Sequence, residues 1–425
     1  MTMSTTPPPI SNRARANIQK ENLLAIGMMK WWRNQYHAEK NPDGIINLGT
    51  AENKLMAGTL VDLVAKMSAQ LVDATFSYGL MYGSQELREK LADMFNLQFR
   101  PIQRVEAGEI VVTNGACSAV SNLVQVVCDV GDGVLVPAPY YGGFGPDVSN
   151  YSQANLITCS SSTPPNFLPT DQDLAQTLQT NPIPIRALLL TNPNNPTGRV
   201  IPTETLKTYL QFAKSHKLHI ILDEIYALSC FRASTLDGLE PFTSILAMPW
   251  VQEEGLEEWI HIVWSFSKDF GSSGLRLGCI QSRNPHILKA LRPISPFTAP
   301  SNATQTLVMG LLDPPTTAQF IRTNQSRLEE IYTRLTAFLR EHGVPYIPAN
   351  AAFFLLVDLR RWTSGMGEQA LFERLCDQGV YIACGRAFGF GEEGWFRVVF
   401  GVDWEVLEIG MRRLVRVLQE VEMGR

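Results

Sequence analysis

Histidine is scarce in this chain and cysteine is scattered. Its 425 residues hold 6 histidines and 7 cysteines. The cysteines fall at 117, 128, 159, 230, 279, 376 and 384, never as CxxC and mostly inside apolar runs, which argues against a disulfide framework and against zinc. The histidines show no HExxH or other ligand spacing, so no metal site is expected. No Lys/Arg block stands out and the formal net charge is -5, so nucleic acid is not expected as a partner. No apolar run approaches the ~20 residues of a membrane span. The Thr/Pro-rich start from Met1 to Ile10 lacks the basic-then-apolar order of a signal peptide. A soluble protein of the reducing cytoplasm is expected.

What is present is a long series of short apolar runs. Glu109 to Thr113, Gly133 to Val136, Asn155 to Thr158, Ala187 to Thr191, His219 to Leu222, His261 to Phe266 and Leu275 to Ile280 all have strand length. Helical patterns fit between them at Ala116 to Asp129, Asp171 to Gln179 and Thr203 to His216. That alternation predicts an α/β fold with a seven-stranded, mostly parallel sheet. After Pro300 the pattern changes. Ala318 to Glu341 carries apolar residues at helical spacing, followed by strand candidates at Ala352 to Val357, Tyr381 to Ala383 and Trp395 to Phe400 and by an amphipathic helix from Trp404 to Glu422. The expected organisation is a disordered tail over residues 1–17, an N-terminal segment over 18–58 that packs with the smaller domain, a large domain over 59–313 and a small C-terminal domain over 314–425.

Several strand ends carry residues out of keeping with their apolar surroundings. Lys268 follows the run His261 to Phe266 between Ser267 and Asp269, ahead of Gly271, Gly274 and Arg276. A lone lysine is ordinarily a solvated surface charge, but one desolvated at a strand end has a neutral, nucleophilic amine suited to imine chemistry. Asp223 comes directly after Ile220-Ile221-Leu222; it is either a helix N-cap or a buried acid awaiting a cationic partner. Asn192-Pro193-Asn194-Asn195-Pro196-Thr197-Gly198 ends the run before it, as a turn or as a loop that projects asparagine amides. Thr113-Asn114-Gly115-Ala116-Cys117 leads a strand into a helix start, where free N–H groups favour an anion. With Ser265, Ser267 and Arg276 it makes a candidate phosphate cup. A phosphate site, an aldehyde-seeking lysine and a pyridinium-seeking acid together point to pyridoxal 5'-phosphate (PLP).

On these residues the chain resembles the fold-type I PLP enzymes of the class I aminotransferase family, within them the 1-aminocyclopropane-1-carboxylate (ACC) synthase-like branch. The resemblance spans about residues 40–400. It is carried by Asn47 to Leu55, Tyr82 to Arg88, Asn192 to Gly198, Asp223 to Tyr226, Ser265 to Asp269 and Phe396 to Val398, in that order. It implies an aspartate-aminotransferase-like fold and a homodimer with the active site at the interface. Lys268 would hold PLP as an imine and then carry the α-proton as general base and acid. Asp223 would keep the ring nitrogen protonated, Asn195 and Tyr226 would bond the phenolic oxygen, and Tyr141 would stack on the ring. Backbone at Ala116 and Cys117, with Ser265, Ser267, Arg276 and Tyr82 of the partner subunit, would bind the phosphate. Arg397 would grip the substrate carboxylate, with Glu52 and Asn195 also facing the substrate.

The branch does not fix the reaction. Phe144 to Tyr151 contains no arginine, where the plant ACC synthases carry a basic stretch, and Lys54 stands where they carry glutamine. In length and motif spelling the chain is also similar to fungal carbon-sulfur lyases of gliotoxin-type epidithiodiketopiperazine pathways. The expectation is β-elimination of a cysteine-conjugate-type substrate in secondary metabolism, ahead of aminotransfer to a 2-oxo acid, then ACC synthesis from S-adenosylmethionine. A non-catalytic PLP-fold protein is the rival of another class.

Overall fold

The computed structural model describes residues 10–20, 22–160, 164–165, 167–231 and 238–424. Its strands in chain order are β1 (Ile46–Asn47), β2 (Ile110–Thr113), β3 (Gly133–Ala138), β4 (Asn155–Ser160), β5 (Ile185–Thr191), β6 (His219–Asp223), β7 (Ile260–Ser265), β8 (Gly278–Ser282), β9 (Tyr346–Ile347), β10 (Phe354–Asp358), β11 (Val380–Tyr381), β12 (Ala383–Cys384) and β13 (Trp395–Val399).

Seven of these form one sheet in the order β2-β8-β7-β6-β5-β3-β4. Strand β8 runs antiparallel to both β2 and β7, and every other pairing is parallel. Alternate residues of the strands serve two different cores. Leu188, Leu190, Ile220, Leu222, Ile262 and Trp264 point into one apolar cluster, while Ala187, Leu189, Ile221 and Val263 point into another on the opposite face. That two-sided burial explains why the runs read as continuously apolar. It also requires helices on both faces, and Gly115–Val127 and Thr203–Ser215 are two of them.

The C-terminal third forms a four-stranded antiparallel sheet, β12-β13-β10-β9, approached by the 28-residue helix Pro314–Glu341. The N-terminal segment reaches it through β1, which pairs in parallel with β11. Gly27 and Gly49 lie against the Tyr381 ring so closely that a Cβ on either would meet it at 2.1 and 2.4 Å. These two glycines are small because an aromatic ring fills the space.

Three local expectations need correction. The run from Leu275 does not begin a strand: Ser273–Leu275 is a single tight helical turn and Arg276 takes a left-handed φ of 53°, so β8 starts only at Gly278. Tyr381 to Ala383 is not one strand, because Val380–Tyr381 pairs with β1 while Ala383–Cys384 pairs with β13. The tail expected over residues 1–17 gives way to a helix, Asn12–Gln19, whose first turn is capped by the Ser11 side chain accepting from Ala14 N; residues 1–9 of that stretch lie outside the described residues.

Candidate active site

Parallel strands bring their carboxyl ends to one edge, and the candidate residues gather there. In the ladder Thr191 stands opposite Asp223, and Asp223 opposite Val263. The loops that follow β5, β6 and β7 therefore leave the sheet side by side. They enclose a cavity lined by Ala116, Cys117, Tyr141, Asn195, Asp223, Tyr226, Ser267, Lys268 and Arg276, with Val120, Phe144, Asp147, Ile225 and Ser273.

Lys268 occupies the short helix Phe266–Asp269, which Ser265 caps by accepting from Ser267 N at 3.1 Å. Its Nζ donates to Ala51 O at 2.7 Å. Burial pushes its pKa down to about 8, with the charge of Arg397 acting the same way. The helix is pinned from behind by Asp269, whose carboxylate accepts from Trp264 Nε1 (2.9 Å), Ser229 Oγ (2.7 Å) and Leu228 N (3.1 Å). Those bonds tie the Lys268 turn to the segment that follows Tyr226, so lysine and tyrosine are held in one frame.

Asp223 is no helix cap. A turn follows it, and its Oδ1 accepts from Ile225 N, at 3.3 Å. Burial pushes its carboxyl up to about 8, and it makes no ion pair among the described residues. Tyr226 is buried against Phe353 and Phe354, and its hydroxyl accepts from Asn195 Nδ2 at 3.4 Å. Of the three asparagines in that loop, two close the turn: Asn192 Oδ1 accepts from Ile201 N and Asn194 Oδ1 from Thr197 Oγ1. Only Asn195 faces the cavity.

Arg397 is 1% exposed and stands between the rings of Phe354 and Phe388. One Nη donates to Asn195 Oδ1 at 2.7 Å and the other to Gly49 O at 2.6 Å, while Nε has no hydrogen-bond partner among the described residues. A buried, always-charged fork without a carboxylate is a site for one. Of the residues expected to cup a phosphate, Ala116, Cys117, Ser267 and Arg276 come together in the cavity wall. Gly115 opens its helix at φ 81°, and a Cβ there would lie 2.6 Å from an Nη of Arg276. Ser265 is buried beneath the wall, its hydroxyl bonded to Ser267 Oγ and Leu277 O.

Two candidates stand apart. Tyr82 is flanked by the guanidinium groups of Arg88 and Arg292, 4.9 and 5.1 Å from its ring, and does not line the cavity of its own chain. Glu52 does not line the cavity either; it lies 3.9 Å from Lys54 Nζ, and its charge acts on Lys268. Sequence reasoning missed Asp147, a carboxyl within the cavity wall; the one signal was its being the sole acid in an otherwise uncharged loop. It missed Asp269 as well, whose neighbour Lys268 drew the attention.

A cavity with a buried acid that has no ion pair among the described residues, an arginine-backed helix start and a lysine whose pKa burial lowers to about 8 fits PLP by its donors and acceptors. Fold and cavity thus define the class, an α/β protein built to hold that cofactor. The sequence profile of the family described as aminotransferase class I and II matches residues 43–414. Probable aminotransferase sirI of Leptosphaeria maculans is 33% identical over 382 residues, covering 89% of this chain and 92% of that protein. The mouse 1-aminocyclopropane-1-carboxylate synthase-like protein 1 is 32% identical over 435 residues, covering 98% of this chain and 85% of its own. Aspartate aminotransferase from Thermus thermophilus, solved with maleate, matches the fold with a TM-score of 0.78 at 22% identity over 97% of this chain and 100% of that one. The chain belongs to the class I and II aminotransferase family, a family of PLP-dependent enzymes.

Proposed function

We propose that this enzyme acts at Cα of an amino-acid substrate and that its reaction is carbon-sulfur β-elimination from a cysteine-conjugate-type substrate in secondary metabolism. The observation that carries the Cα chemistry is the buried Lys268 amine, with pKa near 8, in one cavity with Asp223, Asn195 and Tyr226. PLP, when bound, supplies an aldehyde that bonds to amines and a ring that accepts the electron pair released at Cα. Lys268 would hold the cofactor through its amine and, once freed by the substrate, would take the α-proton. Asp223 keeps a proton on the ring nitrogen, relieving its own burial by pairing with that cation. Tyr226 and Asn195 bond the ring oxygen, and Tyr141 covers one ring face. Arg276, Ser267 and the backbone of Ala116 and Cys117 would bind the phosphate, with Ser265, expected there from sequence, instead holding Ser267 from behind the wall.

Arg397 would grip the substrate carboxylate and so fix how the bonds at Cα are oriented. Loss of a β-sulfur group from the deprotonated substrate yields a free thiol and an enamine, which water converts to a 2-oxo acid and ammonia. The likeness in length and motif spelling to the fungal carbon-sulfur lyases supports this outcome. Aminotransfer is the second reading, favoured by the name of the Leptosphaeria relative. ACC synthesis ranks third, since Phe144 to Tyr151 contains no arginine and Lys54 pairs with Glu52.

A homodimer accompanies this reading. Val61, Val72, Phe76, Tyr78 and Leu80 expose large apolar side chains just ahead of Tyr82, with Tyr78 97% exposed, and a second copy covering them would place Tyr82 of the partner subunit against the phosphate. A cytoplasmic location is supported by seven unpaired cysteines. No helix of the described residues is long and apolar enough to cross a membrane.

The test is product identity. Wild-type and Lys268→Ala proteins are incubated with S-alkyl cysteine conjugates, with S-adenosylmethionine, and with an amino acid plus 2-oxoglutarate. Free thiol with 2-oxo acid and ammonia, made by the wild type alone, is the expected result. Glutamate without thiol would replace elimination by aminotransfer, and a wild type that binds no PLP would end the enzyme reading.

A further inference from the structure

Glu368 is a fully buried carboxylate that the chemistry described above does not use. It opens the helix Glu368–Asp377 and turns its side chain toward the loop that leads into β13. Its Oε1 accepts from Arg386 N at 2.9 Å and its Oε2 from Gly394 N at 2.8 Å. One carboxylate thus closes that loop at both ends, with one oxygen spent on each. A third bond runs the other way, Glu368 N donating to Glu393 Oε2 at 3.0 Å. A buried carboxylate is costly unless bonds of this kind meet its charge.

The loop so closed reaches the substrate end of the cavity. Its tight turn Gly385–Phe388 presents the Phe388 ring 4.7 Å from Arg397 Cζ, and Trp395, next to Gly394, starts the strand on which Arg397 lies. Glu368 therefore sets the spacing between ring and guanidinium from a single anchor. The same turn also bears on the large domain: Tyr140 N donates to Phe388 O at 3.0 Å, and a Cβ on Gly142 would meet Ala387 O at 2.0 Å. Because Arg397 Nε has no hydrogen-bond partner among the described residues, the guanidinium plane is fixed by two Nη bonds and by the rings of Phe354 and Phe388. Loosening one ring lets that plane tilt.

We propose that Glu368 is a positioning residue for substrate recognition: by clasping the backbone of Arg386 and Gly394 it holds Phe388 against Arg397 and keeps the guanidinium oriented for a carboxylate. The proposal rests on the reading of Arg397 as the grip for the substrate carboxylate. Glutamine at position 368 keeps the shape of the side chain, but its amide nitrogen is a donor and it can accept only one of the two N–H groups through its oxygen. One end of the clasp then opens and a buried N–H is left unpaired.

The experiment uses two small amines that bond to the aldehyde of PLP: aminooxyacetate, which has a carboxylate, and methoxyamine, which has none. Their rates with the PLP-loaded, full-length protein are read from the visible band of the cofactor, and the ratio of the two rates reports the carboxylate grip. Glu368→Gln should lower that ratio about tenfold, through aminooxyacetate, with PLP content and circular dichroism as in wild type. Hydrogen exchange of the amides of Arg386 and Gly394 should be faster in this variant. Phe388→Leu, which removes the ring and leaves the clasp in place, should lower the ratio by a similar factor. A wild-type ratio in either variant would overturn the proposal, as would equal slowing of both amines, which marks a loosened cofactor site. Should Glu368→Gln fail to fold, Phe388→Leu still decides. Arg397→Lys separates the proposal from the reading beneath it. If that variant keeps the wild-type ratio, the grip reading fails; if it loses the ratio while Glu368→Gln keeps it, only the role of Glu368 fails.

Discussion

Arg397 and Asn195, 202 residues apart in sequence, meet in a 2.7 Å hydrogen bond from Nη1 to Oδ1. The bond joins the antiparallel C-terminal sheet to the loop after β5, and it orients both side chains. With Oδ1 occupied by Arg397, the Asn195 amide must present its Nδ2 to the Tyr226 hydroxyl. Substrate grip and cofactor tuning therefore share one amide, and disturbing either end disturbs the other.

Replacing Arg397 by lysine keeps the charge and loses the planar fork. Asn195 Oδ1 and Gly49 O cannot both be satisfied by one ammonium at the same geometry. We expect kcat/KM to fall by roughly 10–150-fold, equivalent to about 1.5–3 kcal/mol for hydrogen bonds to a charged group. PLP content, read from absorbance after denaturation, should stay at the wild-type level. Loss of cofactor in Arg397→Lys would show that the arginine supports the cavity rather than the substrate.

Asp223 links cofactor and stability. Its folded pKa, about 8, lies above the ~3.9 of an unfolded aspartate. A group raised on folding adds stability below its unfolded pKa and loses it as pH climbs through the folded value, so in cofactor-free protein the window of loss is about pH 4 to 8. Asp223→Asn should therefore stabilise the apo-protein, most at pH 8, and abolish turnover. Added PLP should raise Tm more in wild type than in the variant, because the ring cation pairs only with the carboxylate. Equal shifts measured by scanning calorimetry would argue that Asp223 does not meet the ring nitrogen.

The sheet was legible in the sequence because its strands are buried on both faces, and such strands write themselves as unbroken apolar runs ending at polar residues. Lys268, Asp223 and Asn195 were visible for the same reason: each interrupts an apolar context at a strand end. What local pattern does not carry is the side chain's target. Nothing in Asn192-Pro193-Asn194-Asn195 says which amides close the turn and which one faces the cavity, since that depends on Arg397 arriving from the other sheet. Leu275-Arg276-Leu277 reads as a strand by hydropathy, but Arg276 adopts a left-handed turn beside Gly115. Nothing in the local pattern of Phe144–Ser149 signals that Asp147 lines the cavity.

At the opposite end of the central strands, a histidine pair, His261 buried and His219 partly so, should make stability depend on acid. His219 Nδ1 lies 3.0 Å from His261 Nε2, and His261 Nδ1 lies 2.8 Å from Ser282 Oγ. Burial pushes both imidazoles down, His261 to about 3 with His219 adding repulsion. Groups depressed on folding contribute stability above their unfolded pKa, ~6.5 for histidine, and lose it as pH falls toward the folded value. Urea unfolding should weaken below pH 6.5 by up to about 1.4 kcal/mol per pH unit for each histidine that stays neutral. His261→Gln should flatten that slope; an unchanged slope would place the acid sensitivity elsewhere.

Gly115 offers the sharpest test of the phosphate cup, because its backbone conformation disfavours a side chain and a Cβ there would displace the Arg276 guanidinium. Its φ of 81° is one that L residues adopt with strain, and an added Cβ would fall 2.6 Å from Nη2 and 3.1 Å from Cζ of Arg276. Gly115→Ala should lower folding stability by about 1–2 kcal/mol through the left-handed conformation alone. The displaced guanidinium should add a separate effect, a weaker hold on PLP seen as faster loss of cofactor on dialysis against phosphate buffer. Gly108→Ala, where nothing lies within 4 Å of the new methyl, is the comparison and should retain PLP as the wild type does. If Gly115→Ala is destabilised but keeps its cofactor equally well, the glycine serves only the turn, and Arg276 does not need that face of it to bind phosphate.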